Sequence, residues 1–187
     1  RATLGAIHQV EIENDDLKIY TIGDVAPRGV CGTGLIDVLA CLIKGGSIAS
    51  NGRLQKDDHL LSSRIQAEGK SPYFVLSHDP QIIVTQEDIS QLQLAKAALQ
   101  AGRKVLLHQA NRLESDINQV ILAGAFGSFI NPESAMTVGI IPKVETVLSI
   151  GNASLFGAKK ALLSKSFREK VENLAKKAQY IELSARS

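Results

Sequence analysis

The sequence predicts an α/β fold, a mixed sheet flanked by helices, and three observations carry that reading. Twice in the second half a β-rich run passes through a glycine turn into a helical pattern: Asn118–Ala123 into Gly124-Ala125-Phe126-Gly127, and Val144–Ile150 into Gly151-Asn152. Strand–turn–helix units of this kind build layered α/β domains. Two candidate hairpins in the first half add antiparallel pairs, so the sheet is expected to be mixed. The core must rest on Leu, Ile, Val and Ala, because aromatics make up only 4% of the 187 residues and Trp is absent.

The elements follow in order. Ile7–Ile12 and Leu17–Ile22 are β-rich runs separated by Asn14-Asp15-Asp16, a turn sequence, and predict a hairpin. Pro27 and Gly29 break the chain before Cys31-Gly32-Thr33-Gly34. Leu35, Ile36, Val38, Leu39, Leu42 and Ile43 then recur at helical spacing up to Lys44, and Gly45-Gly46 stops that helix. Ser47–Ser71 is polar and mixed, and reads as loop with a short helix at most. Tyr73–Leu76 and Ile82–Val84 predict a second hairpin across His78-Asp79-Pro80.

Thr85 and Asp88 form a capping-box pattern ahead of a long helix reaching about Arg112. Its core stripe is expected at Ile89, Leu92, Ala95 and Leu99, with Gln93, Lys96 and Gln100 as a second, polar stripe. Asn131-Pro132-Glu133 opens a short helix that Gly139 ends. A helix to about Ser164 follows Asn152, then one over Phe167–Ala178, and Tyr180–Leu183 reads as a closing strand.

Composition narrows the function classes. A hydrophobic fraction of 44% and a charged fraction of 21% are ordinary for a soluble domain, and a net charge of +2 gives no reason to expect nucleic acid. The cations are uneven: Lys159–Lys177 holds seven Lys or Arg against two Glu, a local +5 that leaves −3 elsewhere. That run is either a solvated helix face or a docking surface for an acidic partner. Cys31 and Cys41, ten residues apart on one expected helix, make neither a disulfide framework nor a metal site, and His8, His59, His78 and His108 lack ligand spacing. No metal ligand and no catalytic residue is expected. No run is apolar enough to span a membrane and no signal peptide opens the chain, so no membrane association and a cytoplasmic setting are expected. The chain starts at Arg1 and its one methionine is Met136, so a processed chain or, in preference, a piece excised from something longer is expected.

A glycine at a strand-to-helix turn lets backbone approach a ligand, and the helix start offers free N–H groups. Cys31-Gly32-Thr33-Gly34 and Gly124-Ala125-Phe126-Gly127 both fit, yet neither matches a dinucleotide fingerprint or a Walker A loop. Tight-turn geometry and ligand binding both remain open for each. Cys31 at a helix start reads as small filler more readily than as a reactive thiol.

Five segments taken in order resemble one family: "RATLGAIHQVEI", "APRGVCGTGLIDVLACLIKGG", "DISQLQLAKAALQAG", "VILAGAFGSFINPESAMTVGIIP" and "GNASLFGAKKALL". They are similar to the reductive activators of corrinoid proteins, and the likeness covers essentially the whole chain. The resemblance implies the C-terminal portion of an actin-like (ribonuclease H-like) ATPase domain over 1–187, of the acetate and sugar kinase/heat-shock chaperone/actin superfamily, with 44–115 as a helical insert. Family members are ATP-dependent and join that domain to a ferredoxin-like module with a two-iron, two-sulfur cluster. They return cob(II)alamin of corrinoid proteins to cob(I)alamin in methyltransferase and O-demethylase systems. ATP and Mg²⁺ are thus implied for the parent, and a corrinoid protein as partner, with a homodimer as a further expectation.

Carried onto this sequence, the resemblance places Gly124, Ala125, Phe126 and Gly127 at the adenosine, Gln93 and Lys96 on a helix clamping base and ribose, and Gly32, Thr33 and Gly34 at a helix start near the nucleotide. A solvated helix face is the alternative for Gln93 and Lys96. No Asp-x-Gly turn occurs in the sequence, so the family's phosphate-binding hairpins and its cluster cysteines are expected to lie outside this chain, and the isolated fragment is expected to be inactive. Two alternatives stay open: a non-catalytic protein-interaction module with a vestigial nucleotide site, and a fragment of a dehydratase-activator ATPase.

Overall fold

A computed structural model describes residues 2–56, 60–69, 71–79 and 81–183. Two compact units form: one from Arg1–Gln100 with Ile130–Lys143, the other from Ala101–Phe129 with Val144–Ser187.

The first unit opens with the expected hairpin. β1 (Ala6–Glu13) pairs antiparallel with β2 (Asp16–Thr21), and Asn14 and Asp15 between them take φ of 50° and 63°. Two successive left-handed residues make the tight turn whose twist matches paired strands, and Asn and Asp tolerate that conformation best after glycine. β3 (Gly29–Val30) joins β1 in parallel at Ala6 and Ile7 only, giving the order β2-β1-β3. The register of β1 on β2 slips between Ile7 and Gln9.

Helix α1 (Gly32–Lys44) follows at once and is buried over most of its length, including Ile36, Val38, Leu39 and Leu42. β4 (Ile65–Glu68), β5 (Ser71–His78) and β6 (Gln81–Thr85) form an antiparallel sheet in sequence order. Its central strand buries Phe74, Val75 and Leu76 in succession, so both faces of β5 are covered. The β5–β6 hairpin matches expectation, with Pro80 of its turn outside the described residues. β4 falls in the Ser47–Ser71 stretch read as loop, of which residues 57–59 and 70 also lie outside the described residues. Only Ile65 of β4 is buried, so its sequence carries almost no strand pattern.

Arg64 ties the hairpin turn to this sheet. Its Nε and Nη2 hold the two Asp16 carboxylate oxygens at 2.6 and 2.9 Å, and Nη1 donates to the carbonyls of Val75 and Leu76 at 3.2 Å each. The segment expected to be a helical insert, 44–115, thus carries a three-stranded sheet as well as helix.

Helix α2 (Gln86–Gln109) starts at the expected box: the Asp88 carboxylate accepts the Thr85 N–H at 2.9 Å, and the Thr85 hydroxyl accepts the Asp88 N–H at 3.1 Å. Its inward face differs from expectation. Ile89 is buried and Leu92 half-buried, but Ala95 and Leu99 are exposed. Gln93, Lys96 and Gln100 sit against this unit instead, because the Gln93 and Gln100 amides donate to the carbonyls of Gly52 and Gly139 and Lys96 lies against Gly139. Helix α4 (Pro132–Val138) also belongs here. The Asn131 side chain caps it by accepting from the N–H groups of Glu133 and Ser134, and Gly139 ends it at φ 86°.

The second unit holds the two strand–turn–helix motifs. β7 (Gln119–Leu122) and β8 (Thr146–Ser149) pair in parallel, Val120 opposite Val147. β7 runs into the short helix α3 (Gly124–Phe129), and β8 into α5 (Ala153–Leu163), capped by Asn152. No described residue of this unit is buried, so the strands read as buried are half open, with Ile121 and Leu148 exposed. Helix α6 (Lys165–Lys177) starts at the Ser164 cap. Tyr180–Leu183 forms no strand. A strand needs a partner for its ladder, and none pairs there among the described residues; Leu183 instead approaches Gly102 of α2.

Candidate functional site

The turn at the start of α1 is built by close packing. Cys31 stands at the cap position in extended backbone, and its N–H donates to the Ile7 carbonyl at 3.0 Å. Gly34 comes so near β1 that a Cβ on it would lie 2.3 Å from the Ile7 oxygen. The Thr33 hydroxyl donates to the His8 carbonyl at 2.9 Å and lies 3.2 Å from the Cys31 sulfur. Thr33 and Gly34 are therefore engaged with protein, while Gly32 is exposed.

Gly124 is different. It adopts φ 92°, which a side chain resists, and open space lies where its Cβ would be. Its N–H donates to the Gly151 carbonyl at 2.7 Å, so the glycine turns after both parallel strands are joined. The Ser128 hydroxyl accompanies them, donating to the Gly124 carbonyl at 2.8 Å. Ala125 and Phe126 are exposed, and Gly127 packs against Leu122, where a Cβ would meet Leu122 atoms at 3.3 Å. An open backbone beyond the carboxyl ends of parallel strands is the usual place for a ligand in an α/β sheet.

Gln93 and Lys96 share one face of α2 with Gln100, and each has a protein neighbour. The Gln93 amide donates to the Gly52 carbonyl at 3.2 Å, a carbonyl that Gln86 also reaches at 3.1 Å. Lys96 lies against Gly139, whose carbonyl takes the Gln100 amide at 3.1 Å. These residues and Gly32–Gly34 fall in the first unit, whereas Gly124–Gly127 fall in the second.

One buried polar group escaped the sequence reading. Asp37 is 2% exposed, and its Oδ2 accepts the Val10 N–H at 3.2 Å. Burial pushes its pKa up, opposed by the Ser134 hydroxyl and the Val10 N–H. The signal was a carboxylate set inside the apolar run Leu35-Ile36-Asp37-Val38-Leu39. Cys41, one turn on, has its thiol pushed up to about 11, chiefly by burial. Among the described residues, no three His, Cys, Asp or Glu side chains gather as a metal site, and no helix is long and apolar enough to cross a membrane.

A mixed α/β domain with glycine turns after two parallel strands is the class that the geometry defines. A family model described as the C-terminal domain of RACo, the ASKHA domain, matches residues 1–187. The chain belongs to that family, and the actin-like fold expected from its motifs is the fold it has. It is similar to the corrinoid activation enzyme RamQ of Eubacterium limosum, at 38% identity over 178 residues, covering 88% of this chain and 30% of the relative. It is 27% identical over 150 residues to the [Co(II) methylated amine-specific corrinoid protein] reductase of Methanosarcina barkeri, covering 80% of this chain and 25% of that one. A solved reductive activator for corrinoid, iron-sulfur protein superposes with a TM-score of 0.83 at 36% identity, over 100% of this chain and 31% of its own. The chain thus spans less than a third of the length of these relatives.

Proposed function

We propose that this chain is part of an ATP-dependent reductive activator that returns cob(II)alamin of a corrinoid protein to cob(I)alamin, and that it supplies adenosine-side contacts and docking for a partner or a second subunit. The observation that supports this best is the match of the whole chain to the activator family, joined to the open backbone at Gly124. Of Gly124–Gly127, Gly124 fits a nucleotide contact best, since the open space at its Cβ position lets a ligand come close to the backbone. Gln93 fits it less well, being bonded to Gly52, and Thr33 less well again, being bonded to His8. Mg²⁺, the phosphate-binding turns and the two-iron, two-sulfur cluster belong, in this reading, to the remainder of the longer protein. Cys31 and Cys41 are both buried and hold separate partners, so they offer no cluster ligand set.

The test uses the full-length protein. ATP hydrolysis should rise when a corrinoid protein in the cob(II)alamin state is added, and the cob(I)alamin absorbance should appear only with ATP and a reductant. Absence of stimulation across several corrinoid partners would count against the reading.

A second reading, the non-catalytic interaction module, is favoured by the engagement of Thr33, Gly34 and Gln93 with protein. Its docking surface would be the basic end of the chain. There Lys160 of α5 lies over the Phe167 ring of α6 at 5.8 Å and Arg168 donates to the Ala161 carbonyl, so both help to hold α5 on α6. Lys170, Lys176 and Lys177 are exposed. Neutralising these three should weaken association with an acidic partner and flatten its salt dependence. Unchanged binding would remove the electrostatic form of this reading.

A further inference from the structure

Asp37 is a buried acid that the reading above leaves without a role. Thr33, Asp37 and Cys41 stand four residues apart and so share one stripe of α1. All three face β1: the Thr33 hydroxyl donates to the His8 carbonyl at 2.9 Å, Asp37 accepts from the Val10 N–H at 3.2 Å, and the Cys41 thiol lies 3.8 Å from the Val10 carbonyl. The stripe begins where β3 stops, since β3 reaches only Ile7, and it serves backbone groups of β1 that no strand among the described residues pairs on that side. From α4, the Ser134 hydroxyl meets the same carboxyl. Asp37 Oδ1 makes no hydrogen bond among the described residues.

A buried carboxylate with one oxygen unpaired is a poor way to stabilise a fold. A well-packed apolar side chain at that place avoids the desolvation penalty altogether. What the carboxylate adds is direction: it fixes α1, β1 and α4 in one arrangement. One of the candidate nucleotide segments hangs from those elements, since Gly32-Thr33-Gly34 begins α1.

We propose that Asp37 is a positioning residue for the nucleotide site, holding the Gly32-Thr33-Gly34 turn of α1 in place through Val10 and Ser134. The proposal rests on the nucleotide reading above. The ionised carboxylate accepts from both donors, whereas the protonated form gives up acceptor capacity, so the ionised form is the one that clamps. The titratable groups that act on it are His8 and Glu11 on β1 and Cys41 on α1. Burial raises the Asp37 pKa and Glu11 adds to it, while Ser134, Val10 and His8 oppose. Nucleotide affinity should then fall as pH drops through a midpoint above the ordinary Asp range.

The test is ADP binding by calorimetry to the full-length activator, from about pH 5.5 to about pH 8.5, with melting temperatures alongside. Asp37→Asn keeps the shape and removes the charge. It should weaken ADP by about tenfold at the alkaline end and flatten the pH profile, while its melting temperature at neutral pH equals or exceeds that of the wild type. A merely structural acid would instead lose stability and leave the profile's shape alone. Wild-type affinity at every pH in Asp37→Asn overturns the proposal. A wild-type protein that binds no ADP overturns the nucleotide reading and the proposal with it. Should Asp37→Asn fail to fold, Ser134→Ala decides: it should weaken ADP severalfold and move the midpoint upward, and an unmoved profile overturns the proposal.

Discussion

Gly34 lies directly beneath the Ile7 carbonyl, so close that a Cβ on it would stand 2.3 Å from the oxygen, 3.0 Å from the carbonyl carbon and 3.1 Å from a Val30 methyl. Two of those atoms are backbone of a central strand that also accepts the Cys31 N–H. The second glycine of the Cys31-Gly32-Thr33-Gly34 turn is thereby explained by helix–strand contact.

Gly34→Ala should therefore lower stability by about 3 kcal/mol or more, despite the roughly 1 kcal/mol that alanine gains over glycine inside a helix. Gly29→Ala is the control, because nothing lies within 4 Å of its Cβ position. Urea denaturation of the two variants compares them directly. Near-equal midpoints would mean that α1 can move off β1 freely.

The sequence was a good guide wherever local chemistry decides. Asn14-Asp15 dictates its turn by left-handed tolerance, Thr85 and Asp88 their box, and Asn131-Pro132 a helix start. It failed where a partner distant in sequence decides. The inward face of α2 is chosen by the carbonyls of Gly52 and Gly139, and β4 exists because β5 pairs with it. Tyr180–Leu183 has strand composition and, among the described residues, no strand to join. Nor do glycine spacings distinguish Gly34, packed on backbone, from Gly124, open at φ 92°; only the ordered set of family motifs pointed to a nucleotide.

Arg64 should prove far more important to stability than Asp16. Its side chain is 15% exposed and serves four acceptors, whereas the Asp16 side chain is 63% exposed. Arg64→Ala strands the Val75 and Leu76 carbonyls and should cost about 2–3 kcal/mol. Asp16→Ala should cost under about 1 kcal/mol, as exposed pairs do. The double variant should resemble Arg64→Ala alone. Equal losses from the two single variants would mean that the ion pair, and not the two carbonyl bonds, carries the effect.

Both thiols should be inert in the folded chain. Cys31 and Cys41 are 6% and 7% exposed, and Cys41, with its pKa near about 11, holds only about one part in a thousand as thiolate at pH 8. Ellman's reagent should label neither within minutes under native conditions, and both at once in denaturant. Fast native labelling of either would place that thiol at the surface.

Acid titration separates two kinds of carboxylate by sign. Arg64 holds the Asp16 carboxyl below its usual range, and Lys44 does the same for Glu133. A lowered folded pKa gives stability that is present above the unfolded value and lost as pH falls through the folded one. Asp37 runs the other way: burial raises its pKa, so its contribution is fully present below the ordinary Asp value and is lost as pH rises through the folded value. Lowering pH from neutral should first relieve the Asp37 penalty, and only further down remove the contributions of Asp16 and Glu133, which are small because both groups are exposed. Melting curves of wild type and Asp37→Asn between about pH 3 and pH 8 test this, since any stability advantage of the variant at neutral pH should shrink as pH falls towards the ordinary Asp range. A gap that stays constant across that interval would show that the carboxyl does not change its charge there, and would leave the Val10 and Ser134 bonds independent of pH.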